Sequence, residues 1–349
     1  MMATPSFETT PEKQAGFLNY FRQQLGYKPE AVTDVSLEGK TAIVTGSNCG
    51  VGLETSRQLL DLGLSRLILA VRNEDKGNAA AADLAKGRNP PLKEGTIEVW
   101  KLDLDFYDSV VAFSERAKSL TRLDIAVLNA GLCPAKREFN QQTKHDEIIQ
   151  VNYLSTALLA LLLLPIIKTT RPNQPGPTRL TFTSSEVAAW SKFKFNSDMP
   201  ILQALDAPAK DYDTTSHMMT SKLLGQFLIT ELAKRVPSSL AIINGASPGA
   251  IHDSQFNREI DQTFSGAMFK KVMRHVAYTS AVGARMITDA SVKHGEETHG
   301  QFLSFQKLVP MAPIIYTEDG KRCREQLWKE TLEELAFVQP EDQLKAVSA

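Results

Sequence analysis

The chain contains 349 residues, of which 42% are hydrophobic and 23% are charged, so it can bury a substantial core in one large α/β domain or two small ones. Its 39 basic and 40 acidic residues nearly cancel, and no run of like charge occurs. This balance argues against nucleic acid, an anionic membrane or a polyanionic substrate as a partner. A small neutral or weakly charged ligand fits the composition better.

The three cysteines, Cys49, Cys133 and Cys323, lie far apart and lack metal-ligand spacing, so we predict neither a disulfide framework nor a metal site. A reducing compartment is the default environment for such a chain. The first residues, MMATPSFETTPEKQ, lack the apolar core of a signal peptide and the arginine bias of a transit peptide. We therefore expect a cytoplasmic protein.

An amphipathic stretch, KQAGFLNYFRQQLGY, lies within residues 1–38, ahead of the first predicted strand. Phe17, Tyr20, Phe21 and Leu25 recur in it at helical spacing. We expect this N-terminal helical extension to pack on the domain as a cap. A cover over a substrate pocket is the less favoured alternative.

Short β-branched or leucine-rich runs then alternate with amphipathic stretches, and these runs are TAIVTG, RLILAVR, TIEVWKLDL, LDIAVLNAG, RLTFTSS, LAIINGASPG and QFLSFQKL. Such alternation is typical of repeated βαβ units and of a parallel sheet covered on both faces. We predict an α/β, Rossmann-type, doubly wound single domain. Within it we distinguish a core with the active site over residues 39–255 and a substrate-binding cap with C-terminal helices over residues 256–349.

The most apolar run of the chain extends from Leu154 to Ile167 and contains Ser155 and Thr156. It is shorter than the roughly 20 residues that a membrane-spanning helix needs. We expect a buried helix and no membrane span.

Three glycines, Gly46, Gly50 and Gly52, close the first predicted strand and open a helix. Glycines there permit a tight turn and close approach of the backbone to phosphate, while the helix N-terminus supplies unpaired N–H donors and a favourable dipole. The spacing is Gly-x-x-x-Gly-x-Gly, preceded by Thr45, and not the commoner Gly-x-Gly-x-x-Gly fingerprint.

This variant turn resembles that of the short-chain dehydrogenase/reductase superfamily, and further motifs of that family follow in the same order and spacing over roughly residues 40 to 255. They are LDL at 102–104, LNAG at 128–131, VNYL at 151–154, TSS at 183–185, SK at 221–222 and SPG at 247–249. The retinol-dehydrogenase-like members and their relatives in fungal natural-product pathways are the most similar in type. The resemblance implies hydride transfer between nicotinamide and a carbonyl or alcohol carbon.

The same resemblance implies which residues bind the cofactor. They are Gly46, Ser47, Asn48, Gly50, Val51, Gly52, Arg72, Asp103, Leu104, Asn129, Ala130, Gly131, Lys222, Pro248, Gly249 and Ile251. The end of the second strand discriminates between cofactors, because an acidic residue there binds the ribose 2′-hydroxyl and a basic one accommodates a 2′-phosphate. Arg72 holds that position, so we predict NADP(H).

Three of the four catalytic positions of the family match, at Asn152, Ser185 and Lys222, although Ser184 is adjacent to Ser185. The fourth, a tyrosine four residues before the lysine, is Met218, whose thioether neither donates a proton nor titrates. General acid catalysis typically contributes about 10²–10⁴ in rate, so ordinary carbonyl reduction must find another proton source.

Three alternatives follow from the missing tyrosine. In the first, carbonyl or alcohol redox continues with another proton donor; Tyr212 in the preceding loop is the favoured substitute, and water is an alternative. In the second, the scaffold carries a non-redox cyclase, aldolase-like or dehydratase activity in which positioning supplies the catalysis. In the third, the protein is a catalytically inactive NADP(H) sensor or scaffold.

The segment after SPG contains several large apolar side chains, which indicate an apolar small-molecule substrate, and the resemblance implies a role in specialised (secondary-metabolite) biosynthesis. These side chains are Phe256, Phe264, Met268, Phe269 and Met273. The helices that contain LLALLLLPII and SKLLGQFLITEL correspond to those of the family's common dimer interface, so the resemblance also implies a homodimer.

Overall fold

The fold is seen in a computed structural model that describes residues 7–195, 199–208, 212–256, 258–259, 268 and 271–348. Eight strands form one sheet in the order β3-β2-β1-β4-β5-β6-β7-β8, parallel except for the antiparallel pair β7 and β8. The strands are β1 Thr41–Thr45, β2 Arg66–Val71, β3 Ile97–Lys101, β4 Ile125–Leu128, β5 Thr178–Thr183, β6 Ala241–Ala246, β7 Gln301–Ser304 and β8 Lys307–Val309. The prediction of a doubly wound parallel sheet is confirmed.

Helices cover both faces of this sheet. They are α1 Pro11–Gln14, α2 Phe17–Gly26, α3 Gly50–Asp61, α4 Glu74–Ala85, α5 Tyr107–Ala117, α6 Glu147–Ile149, α7 Ser155–Thr170, α8 Ile201–Asp206, α9 Thr214–Arg235, α10 Ser280–Val292, α11 Glu318–Glu334 and α12 Pro340–Ser348. Strand β1 shows why helices are needed on both faces of the sheet. Ile43 joins the core cluster that includes α7 and α9, while Ala42 and Val44 join the opposite cluster with α3 and α10.

Helix α7 confirms the interpretation of the apolar run as a buried helix. By length and composition alone, the continuous helical stretch Glu147–Asn173 could cross a membrane, but 83% of its most apolar window is buried inside the protein. It therefore serves as a core helix, packed between the sheet and its neighbouring helices.

The two C-terminal helices cover the helices that were expected to form a dimer interface. Helix α12 packs on α7, and α11 packs on α9. Arg324 of α11 pairs with buried Glu231 of α9 at 2.6 Å, and Tyr153 hydrogen-bonds Thr331 at 2.7 Å. The chain itself thus occupies these surfaces, and a homodimer stays a proposal.

The last predicted strand, QFLSFQKL, is in fact a hairpin. Phe305 and Gln306 both adopt positive φ, at 48° and 57°, and reverse the chain between β7 and β8. A two-residue turn with both φ values positive normally selects asparagine, aspartate or glycine, so the sequence gives no sign of it.

Helix α2 confirms the N-terminal helix but buries a different face from the one expected. Phe17 and Leu25 are 59% and 62% exposed, whereas Tyr20 and Gln24 are buried. Phe17 still contacts Trp190, with 5.3 Å between the ring centroids, although much of its side chain is exposed. A polar residue, Gln24, takes a central packing position.

Candidate cofactor and active site

The turn between β1 and α3 has room for backbone only. Gly46 adopts a φ of +64°, and a Cβ there would lie 2.9 Å from the Cα of Ala130. A Cβ on Gly52 would lie 2.5 Å from the Gly46 carbonyl oxygen and 2.6 Å from Asn129 Nδ2. Any side chain at either position would collide with groups that cannot move easily.

The N-terminus of α3 lacks a side-chain cap. Cys49, the residue before the helix, makes no side-chain capping hydrogen bond, so the first N–H groups are not capped by that side chain. The buried hydroxyl of Ser47 also has no partner among the described residues. Uncapped N–H groups, a buried orphan hydroxyl and a glycine cradle together fit the diphosphate of a dinucleotide. Asn48 and Val51 flank this turn.

Thr45 fixes the neighbouring segment that follows β4. Its buried hydroxyl accepts hydrogen bonds from the backbone N–H groups of Asn129, at 2.9 Å, and Ala130, at 3.0 Å. The Asn129 side chain donates in return to the Thr45 carbonyl at 3.0 Å. These bonds hold Asn129, Ala130 and Gly131 against the glycine turn, at the carboxyl ends of β1 and β4, the edge at which ligands bind in such sheets.

Arg72 lies at the end of β2 as predicted, and its guanidinium is half exposed. It donates to Asp105 Oδ2 at 3.0 Å. Burial raises the pKa of Asp105, and nearby Asp103 adds to that rise. Asp103 and Leu104 follow β3 and are buried, and the Leu104 carbonyl accepts from Ser155 at 2.6 Å. A ribose phosphate beside Arg72 would therefore compete with one carboxylate for the guanidinium.

The loop after β6 forms the other wall of the cleft. Gly249 has a φ of +70°, and Ile251 pairs with Tyr278 in an isolated parallel bridge. The carbonyl of Pro248 lies 2.8 Å from where a Cβ on Gly283 would be, which brings helix α10 close to the loop.

Phe256 is the one member of the predicted apolar set that the structure places at the cleft. Its ring lies 3.3 Å from where a Cβ on Gly131 would be, and its centroid is 5.7 Å from Lys222 Nζ. Met268 is 55% exposed and Met273 is partly exposed, while Phe264 and Phe269 lie outside the described residues.

Asn152 lies in a π-helical turn, Gln150–Leu154, between α6 and α7. Its side chain accepts from Leu132 N at 2.8 Å and donates to Leu132 O at 3.0 Å, and it also donates to Ser221 Oγ at 3.1 Å. Such π-turns are frequent at functional sites. Here the turn joins the segment after β4 to helix α9.

Lys222 projects from α9 towards the same point. Its ammonium donates to the carbonyl of Thr183 at 2.9 Å. Desolvation lowers the pKa of Lys222 to about 8, against a smaller opposing influence of Cys133. The buried Cys133 thiol has its own pKa raised to about 12, chiefly by burial, so it is not an acid at neutral pH. Of these two groups, Lys222 is the one whose pKa lies closer to neutrality.

A small cavity of about 30 Å³ adjoins this lysine, and its polar lining comprises Asn152, Thr156, Thr183, Ser184, Ser221 and Lys222. About 10–15 Å³ is enough to hold one water molecule. The cavity thus has room for roughly two waters with several polar partners.

Of the two adjacent serines, Ser184 is the one that contacts this cavity. Ser184 is 5% exposed, and its hydroxyl has no partner among the described residues. Ser185 starts a short 3₁₀ turn, and its Oγ accepts from Val187 N at 3.3 Å. The catalytic role that the resemblance gives to Ser185 stays a prediction.

Met218 lies one turn before Lys222 on α9, and its carbonyl accepts from Ser221 Oγ at 2.7 Å. Tyr212, the favoured substitute acid, donates instead to buried Asp146 at 2.9 Å. Burial and Asp146 raise the pKa of Tyr212 well above its usual value, so Tyr212 is a poor acid at neutral pH. His217 is partly buried beside them, and desolvation lowers its pKa.

Comparison with known proteins decides the family. A family profile described as short chain dehydrogenase matches residues 40–191. The short-chain dehydrogenase fogG of Aspergillus ruber is 45% identical over 95% of this chain and 96% of its own length. The chain belongs to the short-chain dehydrogenase/reductase family. Another relative, the short chain dehydrogenase/reductase mfmJ of Annulohypoxylon moriforme, is 38% identical over 92% of this chain and 91% of its own.

Solved structures of this family share the fold. A short chain dehydrogenase from Shigella flexneri superposes with a TM-score of 0.57 at 20% identity, covering 81% of this chain and 96% of its own. A short chain dehydrogenase from Escherichia coli, solved in complex with NADPH, gives a TM-score of 0.57 at 19% identity, covering 79% and 100% of the two chains. Membership in this family of oxidoreductases agrees with a nicotinamide site at the glycine turn.

Sequence reasoning missed several groups at this short-chain dehydrogenase/reductase site. The carbonyl of Thr183 and the thiol of Cys133 come close to Lys222 only in the folded chain. They belong to no sequence motif, so the sequence does not predict them. The sequence places Ser184 next to Ser185, but it does not show which of the two contacts the cavity. Gln24 lies outside the family motifs altogether.

Proposed function

We propose that this protein is an NADP(H)-dependent oxidoreductase that interconverts a carbonyl and an alcohol on a largely apolar small metabolite of specialised biosynthesis. The observation that carries the proposal is the position of Lys222. Lys222 lines the same small cavity as Asn152, its ammonium donates to the carbonyl of Thr183, and desolvation lowers its pKa to about 8. The fungal short-chain dehydrogenases among its relatives support the specialised metabolic setting.

In this proposal the chain holds the cofactor mainly through backbone. The glycine turn and the N-terminus of α3 hold the diphosphate, and Arg72 takes the ribose 2′-phosphate. The segment from Asn129 to Gly131, together with Lys222, holds the nicotinamide ribose. When bound in its reduced form, the cofactor supplies a hydride.

Lys222 replaces the absent tyrosine as proton donor. An ammonium of pKa about 8 is mostly protonated at neutral pH and still releases its proton readily, which suits a general acid. Lys222 would donate its proton to the carbonyl oxygen of the substrate, and a neutral amine would remain at Nζ. Water in the adjoining cavity then returns a proton to the amine.

The pH dependence of carbonyl reduction tests this assignment. We expect the rate with NADPH and an aromatic ortho-quinone to fall as pH rises through about 8, because the ammonium is lost. Lys222→Arg keeps the charge but does not titrate in this range, so it should bind NADPH, react slowly and show no fall near that pH. A wild-type rate that is flat through this region would exclude Lys222 as the acid.

The absence of a tyrosine at Met218 favours one second candidate, a non-redox cyclase or dehydratase on the same scaffold. Its signature would be conversion of a substrate without any change in nicotinamide absorbance. Product formation with no cofactor turnover would replace the redox proposal with this one. Failure to bind NADPH, NADP⁺ and NADH at millimolar concentration would exclude both.

A further inference from the structure

The N-terminal extension contacts the cleft from outside the region that matches the family profile, which begins at residue 40. Its helix α2 buries Gln24, which is 1% exposed. Burying a primary amide costs free energy unless its hydrogen bonds are made. The partners of this side chain therefore show what the helix holds in place.

Gln24 binds the backbone of the loop that follows β6. Its Oε1 accepts from Ala250 N at 2.9 Å, and its Nε2 donates to Ala250 O at 3.5 Å and to Val276 O at 3.2 Å. The side chain thus satisfies the N–H of Ala250, whose carbonyl also accepts from Tyr278 N at 2.8 Å, and it reaches the segment before α10 through Val276.

The fit beside Gln24 requires glycine in the loop. A Cβ on Gly249 would lie 2.7 Å from Gln24 Oε1, and Gly249 has a φ of +70° that other residues rarely adopt. The loop conformation and the Gln24 side chain are therefore matched to each other. Gly249 is also one of the residues that the family resemblance places beside the nicotinamide.

Other contacts fasten the extension on both sides of Gln24. Trp190, which ends the 3₁₀ turn after Ser185, donates to the carbonyl of Ala15 at 2.8 Å. Tyr278 donates to the carbonyl of Tyr27 at 2.7 Å. The extension thus connects three segments near the cleft: the turn after β5, the loop after β6 and the start of α10.

We infer that Gln24 is a positioning residue for the cofactor, holding the loop Ser247–Ile251 in the conformation that flanks the nicotinamide. The inference rests on the proposed function for the identity of the ligand. A loop that is already ordered does not lose conformational entropy when the cofactor binds. Without Gln24, the cofactor itself would have to order the loop.

The test compares Gln24→Met with Gln23→Met in the full-length protein. Methionine keeps the length and packing of glutamine but makes none of these hydrogen bonds, and Gln23 is its neighbour on α2. Hydrogen exchange of the cofactor-free protein should become about tenfold faster in residues 247–252 and 276–278 of Gln24→Met. Its Kd for NADPH should rise about tenfold, whereas Gln23→Met should match the wild type in both measurements.

Three results would overturn the inference. The first is unchanged exchange of the loop in Gln24→Met, and the second is an unchanged Kd for NADPH despite faster exchange. An increase in exchange spread evenly over the whole protein would also overturn it, because that would mark a merely structural role. If Gln24→Met does not fold, Gln24→Asn keeps an uncharged amide that is one methylene too short to reach all three backbone partners, and it should show a smaller effect in the same direction.

Failure of the proposed function is recognised separately. If the wild type binds neither NADPH nor NADH, the nicotinamide proposal fails and the claim that Gln24 positions a cofactor fails with it. The exchange measurement on the free protein would still show whether Gln24 orders the loop.

Discussion

The two ends of the cleft differ in what carries their function. At the phosphate end, Gly46 and Gly52 act by lacking side chains, so the backbone is the functional group. At the proposed catalytic end, the candidate groups are instead single side chains, Lys222 and Met218, spaced one turn apart on α9. A site made of backbone groups can be recognised from the spacing of its glycines. It is lost only when the turn itself is lost. Side-chain function can change at one residue while the fold stays the same.

Substitution of Gly52 should have the largest effect on the phosphate end. The new Cβ of Gly52→Ala would lie 2.5 Å from the Gly46 carbonyl oxygen, so the turn must open. We expect the affinity for NADPH to fall by more than about 100-fold and the free energy of unfolding to fall by about 1–3 kcal/mol. Calorimetric titration and denaturant unfolding measure the two effects.

Gly176→Ala is the matched control, because nothing lies within 4 Å of the added Cβ. It should leave NADPH binding unchanged. Wild-type affinity in Gly52→Ala would mean that this turn is not the phosphate site, and the contrast between the two ends of the cleft would be lost.

Restoring the family acid should have the largest effect on the catalytic end. Met218→Tyr places a phenol one turn from the Lys222 ammonium, which favours the phenolate and so lowers the tyrosine pKa. We expect reduction of an aromatic ortho-quinone to accelerate by on the order of 100-fold, within the usual range for general acid catalysis. Single-turnover absorbance of the nicotinamide measures this step.

Met219→Tyr controls for the added aromatic ring, because the next residue lies about 100° further round the helix. It should not accelerate the reaction. No gain in Met218→Tyr, with NADPH binding intact, would mean that proton donation does not limit the rate and would favour the non-redox alternative.

Arg72→Ala should have a smaller and more selective effect. Because its guanidinium is half exposed and already pairs with Asp105, we expect the NADPH affinity to fall only about tenfold, or about 1.4 kcal/mol, with NADH unaffected. Arg66→Ala, at the other end of β2, should change neither the affinity for NADPH nor that for NADH. Equal losses for NADPH and NADH would show that Arg72 does not read the 2′-phosphate.

The sequence predicted the parts of the molecule that repeat or that require glycine. Alternating apolar runs predicted the sheet, and the spacing of Gly46, Gly50 and Gly52 predicted the turn. The hairpin at Phe305 and Gln306 was not predicted, because neither residue favours positive φ. Tertiary contacts override the local conformational preference there.

The contacts made over long sequence separations were beyond prediction. Gln24 binds Ala250 across 226 positions, and Glu231 pairs with Arg324 from the C-terminal helix α11. No periodicity in either segment specifies its partner. For the same reason the sequence suggested a dimer surface on helices that the chain itself covers.

Tyr212→Phe should have the smallest effect on catalysis. It tests whether the loop before α9 supplies the proton that Met218 cannot donate. Its hydroxyl donates to buried Asp146, which Arg137 also binds at 3.0 Å, so its loss should lower the free energy of unfolding by about 1–2 kcal/mol. Reduction of the quinone should stay within about twofold of the wild type, because Lys222 supplies the proton. Tyr27→Phe, which loses one hydrogen bond to Gln306 at 3.0 Å, is the control for stability. A rate loss of tenfold or more in Tyr212→Phe alone would instead make Tyr212 the acid, and the catalytic end would then have moved its proton donor from helix α9 to the loop before it.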